Sequence, residues 1–173
     1  MTLNDLKNKK ILILGFGREG QSTLAFLHRI FPDARIGTAD KRDGPLYLTF
    51  QKEYDVAIRT PGIPKTVLTI PSTTATNLFF ECARGITIGI TGTKGKSTTA
   101  SLIHEMLKAG GLKSHCAGNI GNPMLAELAV SNERDDVFVV ELSSYQLDDI
   151  AFSPHIAVYL NVFPDHIDYH GGF

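Results

Sequence analysis

A chain of 173 residues has room for one ordinary domain or two small ones. Hydrophobic residues at 43% can fill a core, and a formal net charge of -1 with dispersed lysines and arginines argues against a nucleic-acid partner. Two cysteines, Cys82 and Cys116, are too few for a disulfide framework or a zinc knuckle. With no apolar leader and no run near the ~20 residues of a membrane span, the chain reads as cytoplasmic.

Ile11-Leu12-Ile13-Leu14 is fully apolar and stops at Gly15-Phe16-Gly17-Arg18-Glu19-Gly20, the pattern of a buried parallel strand feeding a glycine turn. A helix follows, with Leu24, Leu27 and Phe31 on one face and Pro32 beyond its end. Residues 35–39 predict a second strand ending at Asp40. Residues 55–58 predict a third, ending at Thr60-Pro61-Gly62-Ile63-Pro64. The polar stretch 71–76 reads as loop and 78–83 as a short helix. The pattern then restarts after Arg84-Gly85. Residues 86–90 form a strand, 91–97 a glycine-rich turn, and 97–109 a helix with Leu102, Met106 and Ala109 on one stripe, stopped by Gly110-Gly111. Asn122-Pro123 is an N-cap and N1 pair for a helix through Val130. Residues 137–140 make a strand delivering Glu141, and 156–160 one delivering Asn161. This alternation predicts an α/β protein. Its parts are a Rossmann-like parallel-sheet N-terminal domain over residues 1–85 and a truncated P-loop ATPase-type α/β domain over residues 86–173.

Thr91-Gly92-Thr93-Lys94-Gly95-Lys96-Ser97 is the strongest chemical signal. Glycines let backbone N–H groups turn inward around an anion, and the following helix adds unsatisfied N–H groups and its positive dipole end. Lys96 suits the outer phosphates of ATP and the Ser97 hydroxyl suits Mg²⁺. The strict P-loop spacing fails at Ile90, where that pattern has glycine. Glu141, at a strand end, suits metal binding or water ordering. The first turn, Gly15-x-Gly17-x-x-Gly20 with Asp40 at the next strand end, fits a dinucleotide fingerprint. Two features turn the reading toward another diphosphate ligand: few strands precede the second loop, and Lys41-Arg42 follows Asp40.

Together these segments resemble the Mur ligase family. The resemblance runs over the whole chain and rests on Gly89-Ile90-Thr91-Gly92-Thr93-Lys94-Gly95-Lys96-Ser97-Thr98-Thr99, Gly118-Asn119-Ile120-Gly121, Glu141-Leu142-Ser143-Ser144-Tyr145-Gln146-Leu147 and Asn161-Val162-Phe163-Pro164-Asp165-His166-Ile167-Asp168. The third of these, with Thr60-Pro61-Gly62-Ile63-Pro64 and the opening turn, points to the D-glutamate-adding branch.

The resemblance implies an ATP-dependent amide ligase of peptidoglycan precursor synthesis, joining D-glutamate to UDP-N-acetylmuramoyl-L-alanine through an acyl phosphate, with ATP and Mg²⁺ and as a monomer at full length. It assigns Thr93, Lys94, Gly95, Lys96, Ser97, Thr98 and Thr99 to ATP, and Ser97, Glu141 and His166 to metal. Lys96, Glu141 and His166 become the catalytic group. Phe16, Gly17, Arg18, Asp40, Lys41, Arg42, Pro61, Gly62, Asn119 and His166 go to substrate. Thr60 stands where the family more often has serine.

Asp165, His166, Asp168 and His170 share one loop, but mixed acids and histidines without cysteine are a weak zinc signal. Family members continue past Gly171-Gly172-Phe173 to a lysine that becomes carbamylated and to a further domain. The expectation is therefore a fragment or a remnant that does not ligate by itself, which phosphate release dependent on ATP and D-glutamate would refute. The competing readings are a nucleotide- or UDP-sugar-binding module without turnover, a folate-type ligase, and an NAD-dependent oxidoreductase.

Overall fold

The computed structural model describes residues 1–171, without the side chain of His170; Gly172 and Phe173, which close the resemblance above, lie outside the described residues. Among the described residues eight strands form two four-stranded sheets, parallel throughout. The first sheet holds β1 (Ile11–Leu14), β2 (Ile36–Ala39), β3 (Val56–Arg59) and β4 (Ser72–Thr74) in the order β2-β1-β3-β4. Helix α1 (Arg18–Ile30) follows β1, and α2 (Ala75–Cys82) follows β4. The second sheet holds β5 (Ile86–Thr91), β6 (Lys113–Gly118), β7 (Asp136–Glu141) and β8 (Ile156–Tyr159) in the order β6-β7-β5-β8. Its helices are α3 (Lys96–Ala109), α4 (Met124–Val130), α5 (Ser144–Leu147) and α6 (Ile167–His170).

The apolar runs became the central strands. All four residues of β1 and all six of β7 are buried. Leu24, Leu27 and Phe31 of the first helical stretch do face the core, with Phe26 beside them. Both glycine turns lie where the chain leaves a central strand, with neighbours added on opposite sides, the crevice position at which such sheets take ligands.

Four expectations are corrected. Residues 72–74, read as loop, pair with β3 through Ala57↔Ser72, Ile58↔Thr73 and Arg59↔Thr74, because β-branched threonines suit a buried parallel strand. The helix after them starts at Ala75 rather than 78, with the Thr74 hydroxyl accepting from Asn77 N. Leu102 and Met106 on α3 are 60% and 65% exposed; Ala100, Ile103 and Leu107 carry the packing face instead. Pro123 is the N-cap of α4, and the Asn122 side chain donates to Glu127 instead of capping. Strand β6 had no sequence counterpart at all.

One apolar cluster crosses both halves. It joins Leu27, Ile58, Leu78 and Phe79 of the first to Met124, Leu125, Leu128, Phe138 and Val140 of the second. Phe79 meets Phe138 edge-on at 5.5 Å.

Candidate functional site

Strand β5 ends at Thr91, and the chain turns through Gly92 and Gly95 into α3. Gly92 has φ +144°, and a Cβ there would fall 3.0 Å from Leu160 Cβ and 3.1 Å from Asn161 N and O, so the turn needs glycine. The first helical bond is Thr99 N to Gly95 O. The amides of Lys96, Ser97 and Thr98 therefore stand as the unsatisfied N-terminal set of a 14-residue helix. The Lys96 ammonium folds back and donates to Gly92 O at 2.8 Å and Thr93 O at 3.2 Å.

Register places Glu141 opposite Ile90, immediately before this loop. Glu141 is 1% exposed. Its Oε1 accepts from Asn119 Nδ2 at 2.9 Å, and its backbone O accepts from Asn119 N at 3.1 Å. Its Oε2 is buried without a hydrogen-bond partner among the described residues. An orphaned carboxylate oxygen is the kind of donor a hard divalent cation takes. The Asn119 loop is held close because Gly118 has φ +104° and a Cβ there would overlap the Glu141 carbonyl oxygen.

A cavity of about 790 Å³ opens between the two sheets. Arg18, Glu19, Pro61 and Gly62 line its first-sheet side; Thr91, Gly92, Thr93, Lys96, Asn119 and His166 line the other. Arg18 closes the gap by donating Nη2 to Gly121 O at 3.2 Å. His166 sits in the left-handed region at φ 51°, half exposed, its ring 4.9 Å from Tyr145. No cluster of three or more metal-ligating acids, histidines or cysteines occurs among the described residues, which do not include the His170 side chain.

The other first-turn residues lie apart from this cavity lining. Asp40 Oδ2 accepts from Phe16 N at 2.7 Å, and Oδ1 accepts from Arg42 Nε at 2.7 Å and Arg42 N at 3.2 Å. Arg42 Nη2 donates to Phe16 O at 2.7 Å. Those bonds, the Phe16 amide foremost, hold the Asp40 carboxyl down at about 2. Asp40 thus braces the turn, while Lys41, Arg42 and Gly17 stay exposed at its rim.

Three neighbours to which the motifs assigned no role also belong to the site. Glu19 lines the cavity, and burial pushes its carboxyl up to about 7. Tyr145 reaches the cavity from α5, whose Ser143 and Gln146 form a capping box, a spacing visible in Ser143-Ser144-Tyr145-Gln146. Asn161 bonds both Thr93 and Lys94.

Two parallel layers, each with a glycine turn at its switch point, define a doubly wound α/β protein with a helix-start loop of the phosphate-binding shape. Residues 90–173 match the Mur ligase middle domain. That segment belongs to the Mur ligase family, and the chain as a whole is similar to its members. It is 35% identical to a UDP-N-acetylmuramoylalanine--D-glutamate ligase of Exiguobacterium sibiricum, over 99% of this chain and 43% of that protein. It is 34% identical to a UDP-N-acetylmuramoyl-L-alanine--L-glutamate ligase of Salinispora tropica, again over 99% and 43%. The chain thus spans less than half the length of these curated relatives. A UDP-N-acetylmuramate:L-alanyl-gamma-D-glutamyl-meso-diaminopimelate ligase of Neisseria meningitides shares the fold, with TM-score 0.54 at 20% identity over 93% of this chain and 63% of that one. No helix among the described residues is long and apolar enough to cross a membrane.

Proposed function

We propose that this chain supplies the UDP-sugar and ATP sites of a ligase that joins D-glutamate to UDP-N-acetylmuramoyl-L-alanine through an acyl phosphate. Residues 1–85 take the UDP-sugar and residues 86–173 the ATP. The observation that carries the reading is one continuous cavity of about 790 Å³ with Arg18, Pro61 and Gly62 on one wall and Lys96, Asn119 and His166 on the other. A ligand anchored by its diphosphate at the first turn can extend its carboxylate to the phosphate loop.

Phosphoryl transfer is mostly positioning and charge stabilisation. The free amides of Lys96, Ser97 and Thr98 and the Lys96 ammonium hold the outer phosphates, with Gly95 and Thr99 shaping the helix start. Ser97 and Glu141 would hold Mg²⁺, whose chemistry is to neutralise charge between phosphate and carboxylate. Asn119 orients the Glu141 carboxylate. His166, on the cavity wall beside Tyr145, faces the carboxylate end of the substrate. The amine of D-glutamate then displaces phosphate from the activated carboxyl.

Calorimetric titration of the purified chain tests this. MgATP and UDP-N-acetylmuramoyl-L-alanine bind and NADH does not; saturable NADH binding without UDP-sugar binding would overturn it. Ligation assays of a full-length protein carrying this segment should favour D- over L-glutamate.

A further inference from the structure

We infer that Asn161 is the positioning residue of the phosphate loop, and that the backbone amides of Thr93 and Lys94 are committed to it rather than to a bound phosphate. This rests on the loop being the phosphate site proposed above. Strand β8 pairs with β5 up to Thr91↔Tyr159, and Leu160 N then donates to Thr91 O at 3.1 Å. The next residue, Asn161, therefore arrives alongside the turn. Its backbone O accepts from Thr93 N at 2.9 Å. Its side chain closes a reciprocal pair with one residue: Oδ1 accepts from Lys94 N at 2.9 Å, and Nδ2 donates to Lys94 O at 2.9 Å. Only an amide side chain of this length offers a donor and an acceptor on one carbon to imitate a strand partner. Thr93 is held further out as well, its hydroxyl donating to Phe163 O at 3.1 Å and accepting from Phe163 N at 2.9 Å. Gly92 leaves no room for the two segments to slide, since a Cβ there would press on Leu160 and Asn161.

The loop is thus stapled on its β8 side through residues 93 and 94. Its remaining donors, the amides of Gly95, Lys96, Ser97 and Thr98 at the start of α3, are left for the ligand. The same short segment carries Asp165 and His166, so Asn161 also fixes the distance between the phosphate loop and the His166 wall of the cavity.

Amide hydrogen exchange by NMR, first without nucleotide, tests the staple directly. In Asn161→Ala the Lys94 amide should exchange about tenfold faster, because its acceptor is the side chain. The Thr93 amide should keep its protection, because its acceptor is the backbone carbonyl. A generally loosened protein would lose both. Asn161→Asp retains the acceptor and should restore Lys94 protection, so it carries the test if the alanine variant fails to fold. Unchanged Lys94 exchange in Asn161→Ala, or lost protection in Asn161→Asp, overturns the inference. With MgATP added to the wild type, shifts should concentrate at Gly95, Lys96, Ser97 and Thr98 while Thr93 and Lys94 stay protected; release of those two amides to the ligand overturns it too. MgATP affinity should fall about fivefold to tenfold in Asn161→Ala, the size of one lost hydrogen bond. A wild type that does not bind MgATP would sink the proposed function, while the nucleotide-free exchange still judges Asn161.

Discussion

Lys96 spends its charge on its own loop, through Gly92 O and Thr93 O, and an arriving phosphate must outbid two carbonyls. A charge-assisted bond does so easily. Lys96→Ala should therefore cost about tenfold to a hundredfold in MgATP affinity by calorimetry, with a melting temperature close to wild type. Glu19 offers a second test. Burial lifts its carboxyl from 4.5 to about 7, so the folded protein binds this proton more tightly than the unfolded chain does. Stability from this group is intact below 4.5 and is lost as pH rises through about 7. Glu19→Gln should gain stability relative to wild type as pH rises across that window, by about 2–4 °C in melting temperature for each ~1 kcal/mol. An equal difference at pH 5 and pH 8 would contradict it. The roles of these residues were unequally legible. Lys96 announced itself through local spacing. Glu19 looked like one more letter of a glycine turn, because its burial depends on the wall built by the other sheet.

Among the elements, those with local causes could be read and those with distant causes could not. β1 and β7 are apolar throughout and were plain. β6, Lys-Ser-His-Cys-Ala-Gly, is an edge strand in which only Ala117 is fully buried, so no apolar run marks it. Its His115 is held between the Glu127 carboxylate at 3.0 Å and the Asp136 carboxylate at 3.4 Å, contacts no spacing rule announces. α3 shows the same limit: two apolar stripes fit its period, and only the position of the sheet selects Ile103 and Leu107 over Leu102 and Met106. The short α5 depends on its cap. Ser143→Ala removes the hydroxyl that accepts from Gln146 N and donates to Gln146 Oε1, leaving those atoms only the backbone O and N of residue 143. It should cost about 0.5–2 kcal/mol in chemical denaturation and loosen Tyr145 at the cavity wall.

Across the whole molecule, Arg59 ties the two sheets. Its side chain is 0% exposed, at the end of β3, with Nη1 donating to Ile63 O at 3.1 Å and Nη2 lying 3.5 Å and 3.4 Å from Asp148 and Asp149 beyond α5. Asp149 also takes Lys65 at 2.9 Å, and its backbone O takes Asn77 Nδ2 at 2.8 Å. Arg59→Ala leaves acids facing an emptied site and should cost about 3–5 kcal/mol, whereas Arg59→Met, which refills the volume, should cost less. Denaturation of both variants checks the order.

The apolar cluster shared by the two halves bears on how the chain is made. Leu78 and Phe79 are fully covered only when Met124, Leu125, Leu128 and Phe138 are in place. During synthesis the first half leaves the ribosome with that face bare and must wait for the second, an interval in which greasy surface invites chaperones or self-association. A chain stopped at residue 85 should bind a hydrophobic dye through the bared Leu78 and Phe79 face, and Leu78→Ser in that short chain should lower the signal. The surface that makes one body of two sheets is, for that interval, the chain's point of greatest exposure to misassembly.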